Sequence, residues 1–267
     1  MRIIDFHTHP YLTEEENICM YKDFLRLSMQ EVKVDLQSAG ITGICGSVIS
    51  AMPYNENDGF ASLRELNRKA LEIREAYGDF YIPGFHIHPA FVEESLEEMA
   101  FMYESGVRLI GELVPYIHGW AWYGCDYDSD GLHKLLDAAG RYHMAVSYHT
   151  MTEQQEQMTR MIKAHSDVIF IAAHPGGREV YLQHLERLTQ YRNAFLDLSG
   201  TGLFRYGMLR TGVEMAGADK LIFGTDYPIC NPRMYVQAVV GEHLPEEDTK
   251  KIFYKNVEDI FANCFAG

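Results

Sequence analysis

Cysteine, proline and tryptophan are scarce in this 267-residue sequence, at five, nine and two residues. The five cysteines (Cys19, Cys45, Cys125, Cys230, Cys264) are odd in number and form no C-x-x-C pair. That excludes a disulfide-built scaffold and leads us to expect reduced thiols and a cytoplasmic setting. Positive charge is also in short supply: 23 basic against 38 acidic residues leave a formal charge of −15. This balance opposes binding to nucleic acid or to anionic membranes, so the expected partner is a small-molecule substrate. No stretch approaches eighteen uninterrupted apolar residues, and Asp5 and His7 interrupt the start of the chain where a secretory signal needs its apolar run. Repeats, low-complexity segments and Pro/Gly/Ser linkers are absent too, so residues 1–267 read as one domain, with the 47% hydrophobic content of an ordinary globular protein.

What is present is an alternation. Eight short runs rich in Ile, Val, Leu and Phe recur: Arg2 to Phe6, Gly43 to Ile49, Phe80 to Ile87, Arg108 to Leu113, Met144 to Tyr148, Val168 to Ala173, Ala194 to Leu198 and Leu221 to Phe223. The segments between them carry helical stripes, such as Leu63, Leu66, Ala70, Ile73 and Tyr77, or Leu132, Leu135, Leu136 and Ala139. Gly40, Gly78, Gly106 and Gly140 stand shortly before strands, where helices must stop. Alternating strands and helices predict a parallel sheet, and eight such units in about 250 residues fit a closed (β/α)8 TIM barrel of the α/β class. A doubly wound open sheet would show a Gly-rich first turn, whereas this chain has His7-Thr8-His9-Pro10. Closing helices are expected at Pro245 to Tyr254 and Val257 to Phe261.

Side chains alternate along a strand, so His7 and His9 point the same way just past the end of the first one. Two imidazoles on one face are half a metal site. Glu112, His149, His174 and Asp226 stand at the C-terminal ends of strands four, five, six and eight, and in a barrel all these ends meet on one rim. Six ligand-type residues at one rim point to a metal centre rather than to hydrogen-bonded rim histidines. A divalent ion held by imidazoles and a carboxylate lowers the pKa of bound water towards ~7. Asp226 could hold the ion through one oxygen and take a proton through the other, as ligand and general base.

Three motifs, Asp5-Phe6-His7-Thr8-His9, Ala173-His174-Pro175-Gly176-Gly177 and Phe223-Gly224-Thr225-Asp226-Tyr227-Pro228, span nearly the whole chain in this order. With them the sequence resembles the amidohydrolase superfamily, in particular the amidohydrolase-related (amidohydrolase 2) branch, which also contains aminocarboxymuconate semialdehyde decarboxylase and similar carboxy-lyases. The resemblance implies that His7, His9, His149 and Asp226 bind a single divalent metal, usually zinc. It further implies that His174 orients substrate or water in one-metal members and ligates a second ion in two-metal members. Glu112 departs from the one-metal pattern: two-metal relatives place a carboxylated lysine or a glutamate there as a bridge. The expected cofactor is therefore one or two divalent ions, with zinc as the first choice; the alternative role for Glu112 is a hydrogen bond to a ligand histidine. A homo-oligomer, a dimer, is also expected.

Four further residues are candidate substrate contacts. His86, of the pair His86 and His88, would line the pocket or support the ligands. Trp122 belongs to the aromatic segment Tyr116-Ile117-His118-Gly119-Trp120-Ala121-Trp122-Tyr123, which with Met52, Pro53 and Tyr54 could wall a pocket for a flat group or bury itself against a neighbouring subunit. Arg178 and Arg205 could clamp a carboxylate. His118, His133, His143, His165, His184 and His243 read as solvated or capping histidines. The acidic runs Glu14-Glu15-Glu16, Glu93-Glu94, Glu97-Glu98 and Glu246-Glu247-Asp248 read as solvated first turns of helices.

Two activities compete. The leading reading is a metal-dependent hydrolase of an ester, lactone or amide; the alternative is a non-oxidative decarboxylase of a small unsaturated or aromatic acid. A deaminase would carry His-x-x-Glu after strand five, whereas His149 is followed by Thr150-Met151-Thr152-Glu153. A TatD-like nuclease shares the Gly-Glu after strand four but not the two later motifs. A non-catalytic metal-binding barrel is the remaining class.

Overall fold

The computed structural model describes residues 1–21, 27–50, 54–203 and 205–266. Eight strands form one sheet in the order β1 to β8: β1 (Ile4–Asp5), β2 (Gly43–Gly46), β3 (Tyr81–Phe85), β4 (Leu109–Leu113), β5 (Ala145–His149), β6 (Ile169–Ala173), β7 (Ala194–Asp197) and β8 (Leu221–Ile222). Every paired neighbour is parallel. The sheet closes on itself beyond the ends of β1 and β8. There Phe6 N–H donates to Phe223 O at 2.9 Å and Asp226 N–H to His7 O at 2.8 Å, and Thr8 bridges Tyr227 in parallel. The architecture is the expected (β/α)8 barrel.

Helices α1 (Met29–Ser38), α2 (Ala61–Tyr77), α3 (Val92–Glu104), α4 (Asp130–Arg141), α5 (Gln155–Ala164), α6 (Arg178–Gln190), α7 (Met208–Ala216) and α8 (Pro232–Gly241) surround the strands, followed by α9 (Glu246–Lys250) and α10 (Asn256–Ala266). The sequence stripes are the buried faces: α2 buries Leu63, Ala70, Ile73 and Tyr77, and α4 buries Leu132, Leu135, Leu136 and Ala139. Each such side chain removed from water contributes about 1.5–3 kcal/mol when large. A second cluster lies inside the barrel, where the strand residues Ile4, Leu109, Ala145, Ile171 and Ile222 meet Val257, Ile260, Phe261 and Cys264 of α10. Hence α10 packs against the N-terminal end of the strands and leaves the C-terminal rim to the polar residues. No helix among the described residues is long and apolar enough to cross a membrane.

Two expectations about polar residues fail. Glu98 does not lie on a solvated first turn but is buried in mid-helix, where Arg68 donates to it at 2.6 and 3.0 Å and Asn67 at 3.1 Å. Its desolvation is offset by a bidentate guanidinium from the neighbouring α2. Likewise His118, His165 and His184 are buried rather than solvated. His165 pairs with His133 at 2.7 Å, and His184 lies between Thr150 and Arg187. His143 and His243 do sit in exposed turns. Met52 and Pro53 lie outside the described residues.

Candidate metal centre

Strand direction brings all six rim candidates together. His7 and His9 follow β1, Glu112 lies near the end of β4, His149 ends β5, and His174 and Asp226 follow β6 and β8. His7 Nε2 and His9 Nε2 are 3.2 Å apart. Glu112 stands between two groups of ligands: its Oε2 is 3.3 Å from His7 Nε2 and 3.6 Å from His9 Nε2, while its Oε1 is 2.8 Å from His149 Nδ1 and 3.5 Å from His174 Nε2. Asp226 Oδ1 lies 3.4 Å from His9 Nε2 and 3.7 Å from His7 Nε2. Among the described residues, His7, His9 and Asp226 form one set of converging ligand atoms, and Glu112, His149 and His174 form another.

The surroundings decide which ring nitrogens carry protons. His9 Nδ1 faces Ser47 O at 2.9 Å; a carbonyl only accepts, so Nδ1 carries the proton and Nε2 keeps its lone pair. His7 Nδ1 donates in the same way to Asp197 Oδ2 at 2.8 Å. The Ser199 hydroxyl donates to Asp197 Oδ1 and so accepts at 2.9 Å from His174 Nδ1. Three imidazoles thereby turn acceptor nitrogens inward, towards two carboxylates. Acceptors facing one another at these distances repel unless a cation lies among them, and this donor set fits a divalent ion.

The field of the site has the matching sign. Burial opposes the charge on Glu112, yet His7 and His149 beside it, with a hydrogen bond from His149 Nδ1, hold its carboxyl well below the usual range. Burial likewise opposes charge on His7, but the Asp197 and Glu112 carboxylates outweigh it and raise its pKa well above the ordinary value. A proton on His7 answers this field only in part; a divalent cation answers it for every inward-facing acceptor.

Backbone conformation supports the arrangement. His174 and Asp226 both adopt left-handed φ of 69°, which aims their side chains across the rim. Gly200 has φ of 59°, and a Cβ there would lie 2.4 Å from His174 Nδ1, so only glycine leaves that ring its place.

His9, Glu112, His149, His174 and Asp226 line the floor of a cavity of about 460 Å³. Ile18, Ile49, Val114, Tyr116, Ile117 and Ile229 wall it, and Gly176 and Gly177 border it. Tyr116 meets the His149 ring edge-on at 5.1 Å between centroids. Of the four other candidates, none lines this cavity. His86 is buried behind it with Nε2 on Val48 O at 2.7 Å, and Trp122 is exposed against the Tyr54 ring. Arg178 and Arg205 share a separate cleft with Tyr181 and Tyr206.

Sequence reading missed the residues behind the ligands. Asp197 holds His7 and, through Ser199, His174. Asp5 is fully buried and accepts from His7 N at 3.2 Å, Thr225 N at 2.9 Å and Thr225 Oγ1 at 2.6 Å, tying the first motif to the last. An acid ending an apolar strand, as in Ala194-Phe195-Leu196-Asp197, was the available signal.

Solved structures share this fold. An uncharacterized TIM-barrel protein from Bordetella bronchiseptica is 17% identical, with 99% of this chain and 100% of that chain covered at a TM-score of 0.77. A dihydroxybenzoic acid decarboxylase from Polaromonas, with bound manganese and the inhibitor 2-nitroresorcinol, is 15% identical over 97% of this chain and 96% of that one, at 0.74. A probable 2-pyrone-4,6-dicarboxylic acid hydrolase from Acinetobacter baumannii, with citric acid bound, is 15% identical over 98% and 100%, at 0.69. No curated protein sequence matches. A family model described as amidohydrolase matches residues 4–262, and the chain, in its motifs and its barrel alike, belongs to the amidohydrolase family.

Proposed function

We propose that the protein is a metal-dependent hydrolase of a small-molecule ester, lactone or amide. In this reading His7, His9 and Asp226 would hold one divalent ion and His149 and His174 a second, with Glu112 between the two groups of ligands. The observation that carries it is the division of the Glu112 carboxylate, Oε2 towards His7 and His9 and Oε1 towards His149 and His174. When bound, such ions supply Lewis acidity, polarising a substrate carbonyl and easing the deprotonation of water near neutral pH.

The chain's own residues do the rest. Asp226, whose Oδ1 faces His9 and His7, would keep Oδ2 to take a proton from water and return it to the leaving group. Asp197 and Ser47 O keep the Nδ1 protons of His7 and His9 turned away from the ions. The apolar walls offer contact to the body of a substrate, and the cavity admits one of small-molecule size. Zinc suits the nitrogen and oxygen donors, and manganese, present in the Polaromonas structure, is served by the same set.

One observation favours decarboxylation instead: the Tyr116, Ile117 and Val114 wall suits a flat unsaturated acid, and a dihydroxybenzoic acid decarboxylase shares the fold. A residue of the site would then protonate the carbon that loses carbon dioxide. The two readings separate in one assay series, with lactones, esters and amides followed by acid release and hydroxybenzoates followed by carbon dioxide release. Acid from a lactone or ester without carbon dioxide from any acid is expected. Carbon dioxide release with no hydrolytic turnover would overturn the hydrolase.

A further inference from the structure

We propose that Arg187, acting through His184 and Thr150, is a positioning element for the ligand pair His149 and His174. The inference rests on the reading that these two histidines hold a metal ion. Arg187 lies near the end of α6 and is 5% exposed, yet among the described residues no carboxylate forms an ion pair with it. A buried guanidinium without an anionic partner is costly, so its placement calls for a reason.

Its hydrogen bonds supply one. Arg187 Nη2 donates to Gln155 Oε1 at 2.9 Å and meets His184 Nδ1 at 2.9 Å. Arginine only donates, so His184 Nδ1 must be the acceptor, and the ring's single proton resides on Nε2. Burial, reinforced by the Arg187 charge, keeps this ring neutral. His184 Nε2 lies 3.0 Å from Thr150 Oγ1 and donates to it. The Thr150 hydroxyl proton is then free for the carbonyls of Ala173 and His174, the latter at 3.0 Å. One fixed cation thus sets the direction of every proton in a chain that runs from α6 to the rim.

The chain ends where precision is needed. Thr150 follows the ligand His149, lines the cavity, and binds the carbonyl of His174, whose left-handed backbone has left the β6 ladder. The hydroxyl therefore ties the end of β5 to that of β6. The two rings these ends carry stand 4.8 Å apart. Side groups that orient ligands change metal affinity about 10–100-fold when removed.

The test uses Co²⁺ as probe, with affinity read by chelator competition and geometry by visible absorption, on full-length protein. Thr150→Val cuts the last link with little change of shape. The double variant His184→Phe, Arg187→Met removes the buried cation and its acceptor together, so neither is left unpaired. Both are expected to unfold cooperatively, to bind Co²⁺ about tenfold or more weakly, and to show a shifted absorption band; Thr150→Ser, which keeps the hydroxyl, should restore the wild-type values. A purely structural role would move thermal stability and leave affinity and spectrum unchanged, and that result would overturn the proposal. If the double variant does not fold, the comparison of Thr150→Val with Thr150→Ser decides alone. Wild-type protein that takes up no Co²⁺ would overturn the metal reading and this inference with it; wild-type uptake with unchanged variants would overturn the inference alone.

Discussion

Asp197 accepts the Nδ1 proton of His7 at 2.8 Å, and with its other oxygen it accepts from the Ser199 hydroxyl that meets His174. One buried carboxylate thereby sets the tautomer of a histidine in each of the two ligand groups. Asp197→Ala should keep the barrel but weaken divalent-metal affinity about 10–100-fold. Isothermal titration with Zn²⁺ against a competing chelator measures this; unchanged affinity would show that the ligands are oriented without Asp197.

Asp226 is both a proposed ligand and the proposed proton carrier. Asp226→Asn retains an oxygen for the ion and loses the basic one, so metal uptake should persist in part while turnover falls about 10²–10⁴-fold. Single-turnover kinetics on the substrate found by screening gives the number. Near-normal turnover would remove Asp226 from the proton transfer.

The barrel should lose stability in mild acid. Burial holds His86 and His88 at about 4, against an ordinary 6.5. The unfolded chain takes up these protons near 6.5 and the folded chain does not. Their contribution is therefore complete above about pH 6.5 and declines as pH falls towards 4. It amounts to roughly 3 kcal/mol for each ring. Urea unfolding across this window should show a falling midpoint, and His88→Asn should flatten the slope. A midpoint constant from pH 7 to 4 would contradict the neutral, buried assignment.

Glu98 joins α3 to Arg68 and Asn67 of α2. Glu98→Ala leaves Asn67 buried without that partner and Arg68, which is partly exposed, free to reach water. The expected loss is about 1–3 kcal/mol, measured by thermal unfolding, with no change in metal uptake. A loss of metal uptake would show that this pair communicates with the rim.

Most of the architecture and the six rim residues could be read from the sequence because both follow from periodicity. Strands of period two separated by amphipathic helices define the barrel, and its closure puts His7, His9, Glu112, His149, His174 and Asp226 on one rim. What stayed hidden depends on contacts between residues far apart in sequence. Glu98 looks like surface charge until α2 brings Arg68 and Asn67 against it. His184 looks like a solvated helix histidine until β5 presents Thr150. Asp197 was within reach of the strand-end rule but is masked by the apolar run around it. Loop residues such as Trp122, Arg178 and Arg205 follow no periodicity, and chain direction alone did not place them relative to the cavity.

The central claim is that Glu112 serves two ion positions at once. Metal content per chain, by inductively coupled plasma mass spectrometry on wild type and Glu112→Ala purified without chelators, tests it most directly. The account predicts close to two ions per wild-type chain and one in the variant. One ion in both proteins would contradict it, reducing Glu112 to a hydrogen-bond partner of His149 and leaving decarboxylation as well supported as hydrolysis.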